Sequence, residues 1–528
     1  MIIYKNFKTA KVPDVSLKKI LLAILSGVML SAAFPPGRLE WMAWIAIIPL
    51  LKSLENQRPL NAFRLGMIAG LSHYLTLLYW VIFAVNTYGG LDLLTSTGIL
   101  FLLCLYLSLY PAVFSVLINF LRLRKYIVLI TAGIWVSLEY ARAELITGFP
   151  WCLLGYSQFN FHHLIQICDI TGVYGVSFLI AAINVLIYLL IFNKVSMIGR
   201  RDLIVEAATA IPILLICLIY GGYCLSDVNK GQKGKEYLKI AVIQGNIDQS
   251  VKWDPVYKEE TMKKYMALTK SALNSKPGLV VWPETSTPFF FQDEKEFDED
   301  IYRVSKESGA YLIFGSLAYK TEYIWTYYYN RAYMASPDGS IGGYYDKVHL
   351  VPFVEYVPLK YVFPFIHRLV TAAGDFSFGE ESGLLKMTDT TAGALICYEA
   401  IFPDLARMEV KNGADFFVTM TNDAWFDMTS APYQLMSMSI FRAVENRRPL
   451  IRAANTGFSA FVDAYGRVIA ESDLFTEDVL IRDVRTDYDR LTFYSKYGDV
   501  FIYLILIICL IKISRELWYH LKKNKRYQ

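Results

Sequence analysis

Apolar stretches near residues 20–34, 41–51, 65–85, 94–120, 126–138, 164–193, 203–225 and 498–511 interrupt the chain, and no run between 229 and 495 approaches the ~20 apolar residues of a spanning helix. A spanning helix takes about 20 predominantly apolar residues, so the first two runs are short. Ser31-Ala32-Ala33 after a basic start has the form of a signal-peptide cleavage site, but the seven further runs favour a retained helix. The pattern predicts eight transmembrane helices: a membrane domain over 1–228 with seven, a soluble domain over 229–495, and an eighth helix with a basic tail over 496–528.

The soluble region changes period. Tyr237–Ile247, Leu279–Trp282, Tyr311–Ser316, Ala392–Tyr398, Asp415–Thr419 and Leu450–Ala454 read as buried strands by length and composition. Tyr257–Leu273 and the segments 401–411 and 430–447 carry helical spacing, while Ser336-Pro337-Asp338-Gly339 and Asp463–Arg467 read as turns. Strands alternating with helices predict an α/β domain, a sheet core with helices outside.

Composition agrees with this division. Of 528 residues, 55% are hydrophobic and 19% charged, against about 25% charged in ordinary soluble proteins. The 10 Trp, 37 Tyr and 32 Phe exclude a disordered chain, and a net charge of +4 gives no reason to expect nucleic acid. Charge placement says more. With the N-terminus inside, the inner segments carry Lys5, Lys8, Lys11, Lys18 and Lys19; Lys52, Arg58 and Arg64; Arg122, Arg124 and Lys125; Lys194, Arg200 and Arg201; and Lys512, Arg515, Lys522, Lys523, Lys525 and Arg526. The short outer loops hold Arg38 and Arg142 alone. Basic residues collect on the cytoplasmic side, so both termini are expected in the cytoplasm and the soluble domain outside it.

Of seven cysteines, one, Cys397, falls in the soluble domain, which can therefore form no internal disulfide. Zinc sites want three or four Cys or His ligands at close spacing, and the domain's histidines are His349 and His367; no metal is expected. Three segments end a strand on a reactive side chain: Val280-Val281-Trp282-Pro283-Glu284, Tyr345-Asp346-Lys347-Val348-His349-Leu350-Val351-Pro352-Phe353 and Ala394-Leu395-Ile396-Cys397-Tyr398-Glu399. Each alone has a bland reading, a capping carboxylate, a solvated lysine or an inert buried thiol. Together they meet one chemical need. A thiol attacks as thiolate and needs a base, and the oxyanion of acyl transfer needs a fixed donor or positive charge.

In this order and spacing, WPE, KxHLVPF and CYE resemble the Glu-Lys-Cys signature of the nitrilase (carbon–nitrogen hydrolase) superfamily. With the eight apolar runs, the chain resembles the bacterial apolipoprotein N-acyltransferase family over nearly its whole length. Val242–Ile247, Lys252-Trp253-Asp254-Pro255, Asn422–Phe426, Arg442–Asn446, Gly148–Trp151, Gly155–Gln158 and Gly172–Phe178 are also family-like. Three positions depart: Val354 and Asp427 stand where the family favours Gly, and Leu435 where His is often seen.

The resemblance implies an αββα nitrilase-like domain on the periplasmic side of the inner membrane. It implies an enzyme that moves a fatty acyl chain from a membrane phospholipid, through a thioester on Cys397, to the N-terminal amine of diacylglyceryl-cysteine on an apolipoprotein. Glu284 is the expected base and Lys347 the oxyanion partner. Glu355 is expected to hold Lys347 or Glu284 by charge pairing, with a solvated loop carboxylate as the alternative; Glu399 is either a site group or a solvated carboxylate, Tyr398 a gate or a packing residue, and Trp253 a wall of the lipid path or a core aromatic. No cofactor is implied, since the ester carries its own activation. Pro288–Phe291 and Tyr356–Phe365 are expected at the mouth of the site, with an ordinary core as the alternative. Glu139 and Arg142 have the helical spacing of a pair, with a lipid-headgroup contact as the alternative. Two rival readings are a membrane-tethered amidase, in which water takes the acyl group, and a non-catalytic transporter or scaffold.

Overall fold

The computed structural model describes all residues except 1–14, 122–124, 193–198, 229–235, 292, 353, 357–375, 381–382, 489 and 526–528. Phe353, His367, most of the 356–365 stretch and the basic residues Lys5, Lys8, Lys11, Arg122, Arg124, Lys194 and Arg526 lie outside the described residues.

The N-terminal region is helical: α1 (Leu17–Ala32), α2 (Ile48–Ser53), α3 (Pro59–Leu77), α4 (Trp80–Phe83), α5 (Leu93–Leu121), α6 (Ile127–Glu144), the short α7 (His162–Ile165) and α8 (Cys168–Thr171), α9 (Val173–Phe192) and α10 (Arg200–Val228). Among the described residues α5, α9 and the 200–226 part of α10 have the length and hydropathy to cross a membrane. A fourth crossing results if α3 and Trp80–Tyr88, bent by 54°, form one span. The run at 41–51, expected as a spanning helix, is instead a 3₁₀ turn (Glu40–Trp44), a break and the six-residue α2. Asn184 of α9 serves the break: its amide donates to the Ala43 carbonyl at 2.8 Å and its oxygen accepts from the Ile47 N–H at 2.9 Å. An interrupted helix survives in an apolar surrounding only where such partners exist. Glu206 does the same for α6, accepting the N–H groups of Ile127 and Val128 at 2.8 and 3.1 Å, which are orphan donors of a helix start.

The expected Glu139–Arg142 pair does not form. Glu139 accepts from the Trp135 indole at 3.1 Å and the Leu154 N–H at 2.8 Å, and Arg142 donates to the Trp151 carbonyl at 2.8 Å. Backbone groups of the following loop outbid the partner one turn away, so the two charges pin residues 148–154 to the end of α6.

The remainder is a four-layer α/β sandwich. One sheet comprises β1 (Tyr237–Gln244), β2 (Leu279–Val281), β3 (Tyr311–Glu322), β4 (Trp325–Ala335), β5 (Ile341–Asp346) and a late strand at Asp478–Arg485. The other runs through β6 (Leu384–Lys386), β7 (Thr391–Ile396), β8 (Phe416–Thr421), β9 (Leu450–Ala454), β10 (Ala460–Val462) and β11 (Val468–Glu471); the late strand is β12. The strands β1, β2 and β3 are parallel, as are β7, β8 and β9. Parallel strands are buried on both faces, and the alternation assigns those faces. Ile240, Val242, Ala394, Ile396, Phe416 and Val418 meet between the sheets, whereas Ala241 and Ile243 face α11 (Lys258–Leu273) and α12 (Lys295–Ser308).

On the other side lie α13 (Pro403–Lys411) and α14 (Ala431–Asn446); α15 (Phe493–Tyr497) then leads into α16 (Val500–Lys525). Leu435, Met438, Phe441 and Val444 of α14 share one continuous core with α3, α6 and α9. Gln434 fixes that junction. Its oxygen accepts both the Trp80 and Trp151 indole N–H groups, at 3.2 and 2.8 Å, and its amide donates to the Leu77 carbonyl and the Ser430 hydroxyl. Gln434→Leu leaves two buried indole donors and a carbonyl unpaired, at about 1–3 kcal/mol for each such group. It is expected to lower the unfolding midpoint of the purified chain by several degrees in a thermal scan.

Candidate active site

Each candidate residue sits just past the carboxyl end of a strand: Glu284 three residues after β2, Lys347 after β5, Cys397 after β7 and Asn422 after β8. The structure brings Glu284, Lys347 and Glu355 into direct contact. One Glu284 oxygen accepts from the Asn330 amide at 2.8 Å and lies 3.5 Å from the Lys347 ammonium, while the other accepts the Asn422 N–H at 2.9 Å. Glu355 accepts from Lys347 at 2.9 Å, from Asn330 at 3.0 Å and from the Val351 N–H at 2.8 Å. Lys347 is 1% exposed; burial pulls its ammonium down, but Glu355 and Glu284 outweigh burial and the net direction is up. Lys347 is a permanent cation here.

Room for the Glu284 turn comes from Gly315 of β3. A Cβ there would lie 2.4 Å from the Thr285 nitrogen and 2.7 Å from the Pro283 carbonyl oxygen, closer than any real contact, so the strand can pass only as glycine.

Cys397 occupies a left-handed backbone conformation (φ +54°) where β7 turns into a 3₁₀ helix, a strained arrangement for a non-glycine residue. Burial, then the Glu284 carboxylate, pushes its thiol up to about 12, against the opposing pull of Lys347. The group is therefore a thiol at neutral pH and reacts only if its proton has somewhere to go.

Glu399 holds the strained turn. One of its oxygens accepts the Ile396 N–H at 2.6 Å; the other accepts the N–H groups of Val348 and His349 and the Tyr345 hydroxyl, at 2.7, 2.9 and 2.9 Å. It is fully buried and clamps the Cys397 turn to the Lys347 segment, which excludes the solvated-carboxylate reading. Burial raises it to about 7.

Tyr398 is packed. Its ring lies 6.5 Å from Trp151, at 22° between planes, and 5.1 Å from Phe402. The residue beside the thiol thus packs against the loop that Glu139 and Arg142 pin to the end of α6. Trp253 is 45% exposed on the loop leading to α11.

Phe289 and Phe291 are buried in the core between the first sheet and its helices, so the expected place of Pro288–Phe291 at the mouth gives way to ordinary packing. Of the 356–365 stretch, Tyr356 alone is described; its ring packs on Phe378. Among the described residues no group of three or more His, Cys, Asp or Glu is arranged to hold a metal ion.

The family departures also resolve. Val354 has no left-handed backbone, so glycine is not needed there. Leu435 fills the shared core. Asp427 takes φ +47° and ψ −154°, a region that is essentially glycine's and costs another residue about 1–3 kcal/mol. Asp427→Gly is expected to raise stability by about 1 kcal/mol, read as a higher unfolding midpoint with acyl transfer retained.

Asn330 and Lys252, both in contact with Glu284, are not apparent from the sequence. Asn330 is the one amide in a Tyr-rich strand whose neighbours mask it, and Lys252 stands out only by lying beside Trp253.

Residues 26–186 match the family described as Apolipoprotein N-acyltransferase N-terminal domain, and 239–492 match Carbon-nitrogen hydrolase. A relative from Geobacter metallireducens named apolipoprotein N-acyltransferase is 42% identical over 501 residues, covering 94% of this chain and 95% of its own. Relatives of the same name from Chlorobaculum tepidum (30% identical; 92% of this chain, 93% of its own) and Haemophilus influenzae (30% identical; 96% of each) extend the likeness. Membrane helices and a carbon–nitrogen hydrolase sandwich, joined through one core and matched from end to end by these relatives, place the chain in the apolipoprotein N-acyltransferase family.

Proposed function

We propose that the chain transfers a fatty acyl group from a membrane phospholipid to the α-amine of diacylglyceryl-cysteine at the N-terminus of an apolipoprotein. The observation that carries this reading is the convergence of Glu284, Lys347 and the Cys397 thiol beside a loop fixed to the membrane helices. Glu284 takes the thiol proton as sulfur attacks the ester carbonyl. Lys347, with the Tyr398 N–H, stabilises the oxyanion. The carbon–oxygen bond then breaks, Glu284 returns the proton to the glycerol oxygen, and lysophospholipid leaves a thioester on Cys397. In the second half the acceptor amine, as free base, attacks the thioester; Glu284 takes a proton from nitrogen and passes it to sulfur, giving the amide and the free thiol. This is ping-pong chemistry, and no cofactor enters, since the ester carries its own activation. Glu355 and Asn330 aim Lys347 and Glu284, Glu399 holds the turn, and Trp253 and Tyr398 border the lipid path.

For topology, the same reading has eight crossings, both termini in the cytoplasm, a periplasmic domain over 229–495 and membrane parts over 1–228 and 496–528, in the inner membrane. The 41–51 crossing is a broken one. Its support is the Lys19 ammonium, which donates to the Glu55 carbonyl at 2.6 Å and so sets the start of α1 level with the end of α2, as a crossing and its return require.

The test is incubation of the purified chain with phospholipid and a diacylglyceryl-cysteine lipopeptide. The reading predicts an amide-linked third acyl chain on the peptide, with lysophospholipid released in equal amount. Free fatty acid with unmodified peptide would favour the hydrolase reading.

A further inference from the structure

Glu284 and Glu355 share a single ammonium and a single amide: both accept from Lys347 and from Asn330. Two buried carboxylates that close do not both stay ionised unless positive charge matches them. Lys347 supplies one charge and is the closer to Glu355, at 2.9 Å against 3.5 Å to Glu284. Glu284, the less tightly held of the two, is the one that has to accept from Cys397.

A second ammonium lies against the Glu284 main chain. Lys252 is 3% exposed, and its Nζ donates to the Glu284 main-chain carbonyl at 3.3 Å and to the Thr285 hydroxyl at 2.7 Å. It has no carboxylate within ion-pair distance among the described residues. Other cations around the thiol are committed: Lys347 to Glu355, and Arg452 to Asp423 at 2.8 Å. Glu399, the remaining buried carboxylate there, is satisfied by four donors, and His349 is held neutral, burial pulling it to about 4.

The loop carrying Lys252 is built into the site. Gln249 accepts from the Asn422 side chain at 2.7 Å, and the Asn422 N–H is the one that holds Glu284. Thr285, with φ +45°, turns its hydroxyl toward Lys252 immediately after Glu284. We propose that Lys252 is a positioning residue of the acyl-transfer site, supplying the second positive charge that lets Glu284 and Glu355 be ionised together, so that Glu284 is free to take the Cys397 proton. This rests on Glu284 being the base for Cys397. Burial draws the Lys252 ammonium down to about 8, with the Glu284 carboxylate and a Cys397 thiolate pulling it up. It therefore carries its charge at neutral pH.

The experiment follows acyl-enzyme formation on the full chain in phospholipid nanodiscs, without acceptor, by intact mass from pH 5.5 to 9. Lys252→Met and Lys252→Gln are compared with Lys252→Arg. Loss of the charge is expected to move the acid limb of the profile up by about one pH unit, so that acylation on that limb slows about tenfold at a given pH, since one unit is a tenfold change; rate returns at higher pH. Lys252→Arg keeps the limb near its original position. The same profile is read from iodoacetamide alkylation of Cys397, which needs no donor, so a wrong donor and a wrong role for Lys252 give different results. An acid limb that stays put in both neutral variants, whether or not the rate falls, overturns the proposal.

Discussion

Cys397→Ala is expected to remain folded and to lose acyl transfer by about four orders of magnitude or more, the scale on which removal of a catalytic nucleophile falls. Folding is spared because the turn is held by Glu399 through the N–H groups of Ile396, Val348 and His349, none of which involves sulfur. Activity is lost because nothing else at the junction of Glu284 and Lys347 can carry the acyl group. With the thiol at about 12, the resting group is protonated throughout the neutral range, and its reactivity depends on the neighbouring carboxylate. The check is the rate of third-chain addition to a diacylglyceryl lipopeptide, with an unfolding scan beside it. Activity within tenfold of the parent chain in a folded variant would take the nucleophile's role from the thiol.

Glu284→Gln is expected to cost about 10²–10⁴ in acyl-enzyme formation, the usual weight of a positioned general base. The geometry argues for the upper part of that range. Both Glu284 oxygens act as acceptors, one toward Asn330 and Lys347, the other toward the Asn422 N–H. A glutamine has one oxygen: if it serves Asn330 and Lys347, its NH₂ faces the Asn422 N–H, donor against donor. The variant loses the proton acceptor and disturbs its own placement. Single-turnover acylation of Cys397, followed by mass, measures this directly; an acyl-enzyme formed at near the parent rate would mean that another group takes the proton.

The strands and helices that carry the site were readable because their side chains repeat simply. The apolar runs ending at Trp282 and Tyr398 appear as β2 and β7 with the turns that follow, the Ser336–Gly339 turn joins β4 to β5, and helices fall at Pro403–Lys411 and Ala431–Asn446. β12, which pairs with β1 along its whole length, escaped notice because Asp478, Arg482, Asp483 and Arg485 dilute its apolar pattern. The 41–51 run was legible as apolar but not as broken, since the break depends on Asn184, well over a hundred residues away. Residue spacing likewise suggested Glu139 bonding Arg142, whereas the winning partners are backbone groups of a loop whose path no local rule supplies.

Within the site, Glu284, Lys347 and Cys397 were legible by residue type at strand ends. Glu399 was visible but its clamp was not: three of its four donors lie about fifty residues away in sequence. Asn330, Asn422 and Lys252 carry no local mark of their contacts with Glu284, which arise only when separate strand ends converge.

In this mechanism Cys397 carries the acyl group between donor and acceptor. The most direct measurement is the intact mass of the purified chain after incubation with phospholipid alone, beside Cys397→Ser. A fatty-acyl adduct is expected that maps to Cys397 and disappears with hydroxylamine or an acceptor lipopeptide, while the variant yields no adduct that acceptor removes. An unmodified mass in a folded protein, or an adduct on another residue, would contradict the mechanism.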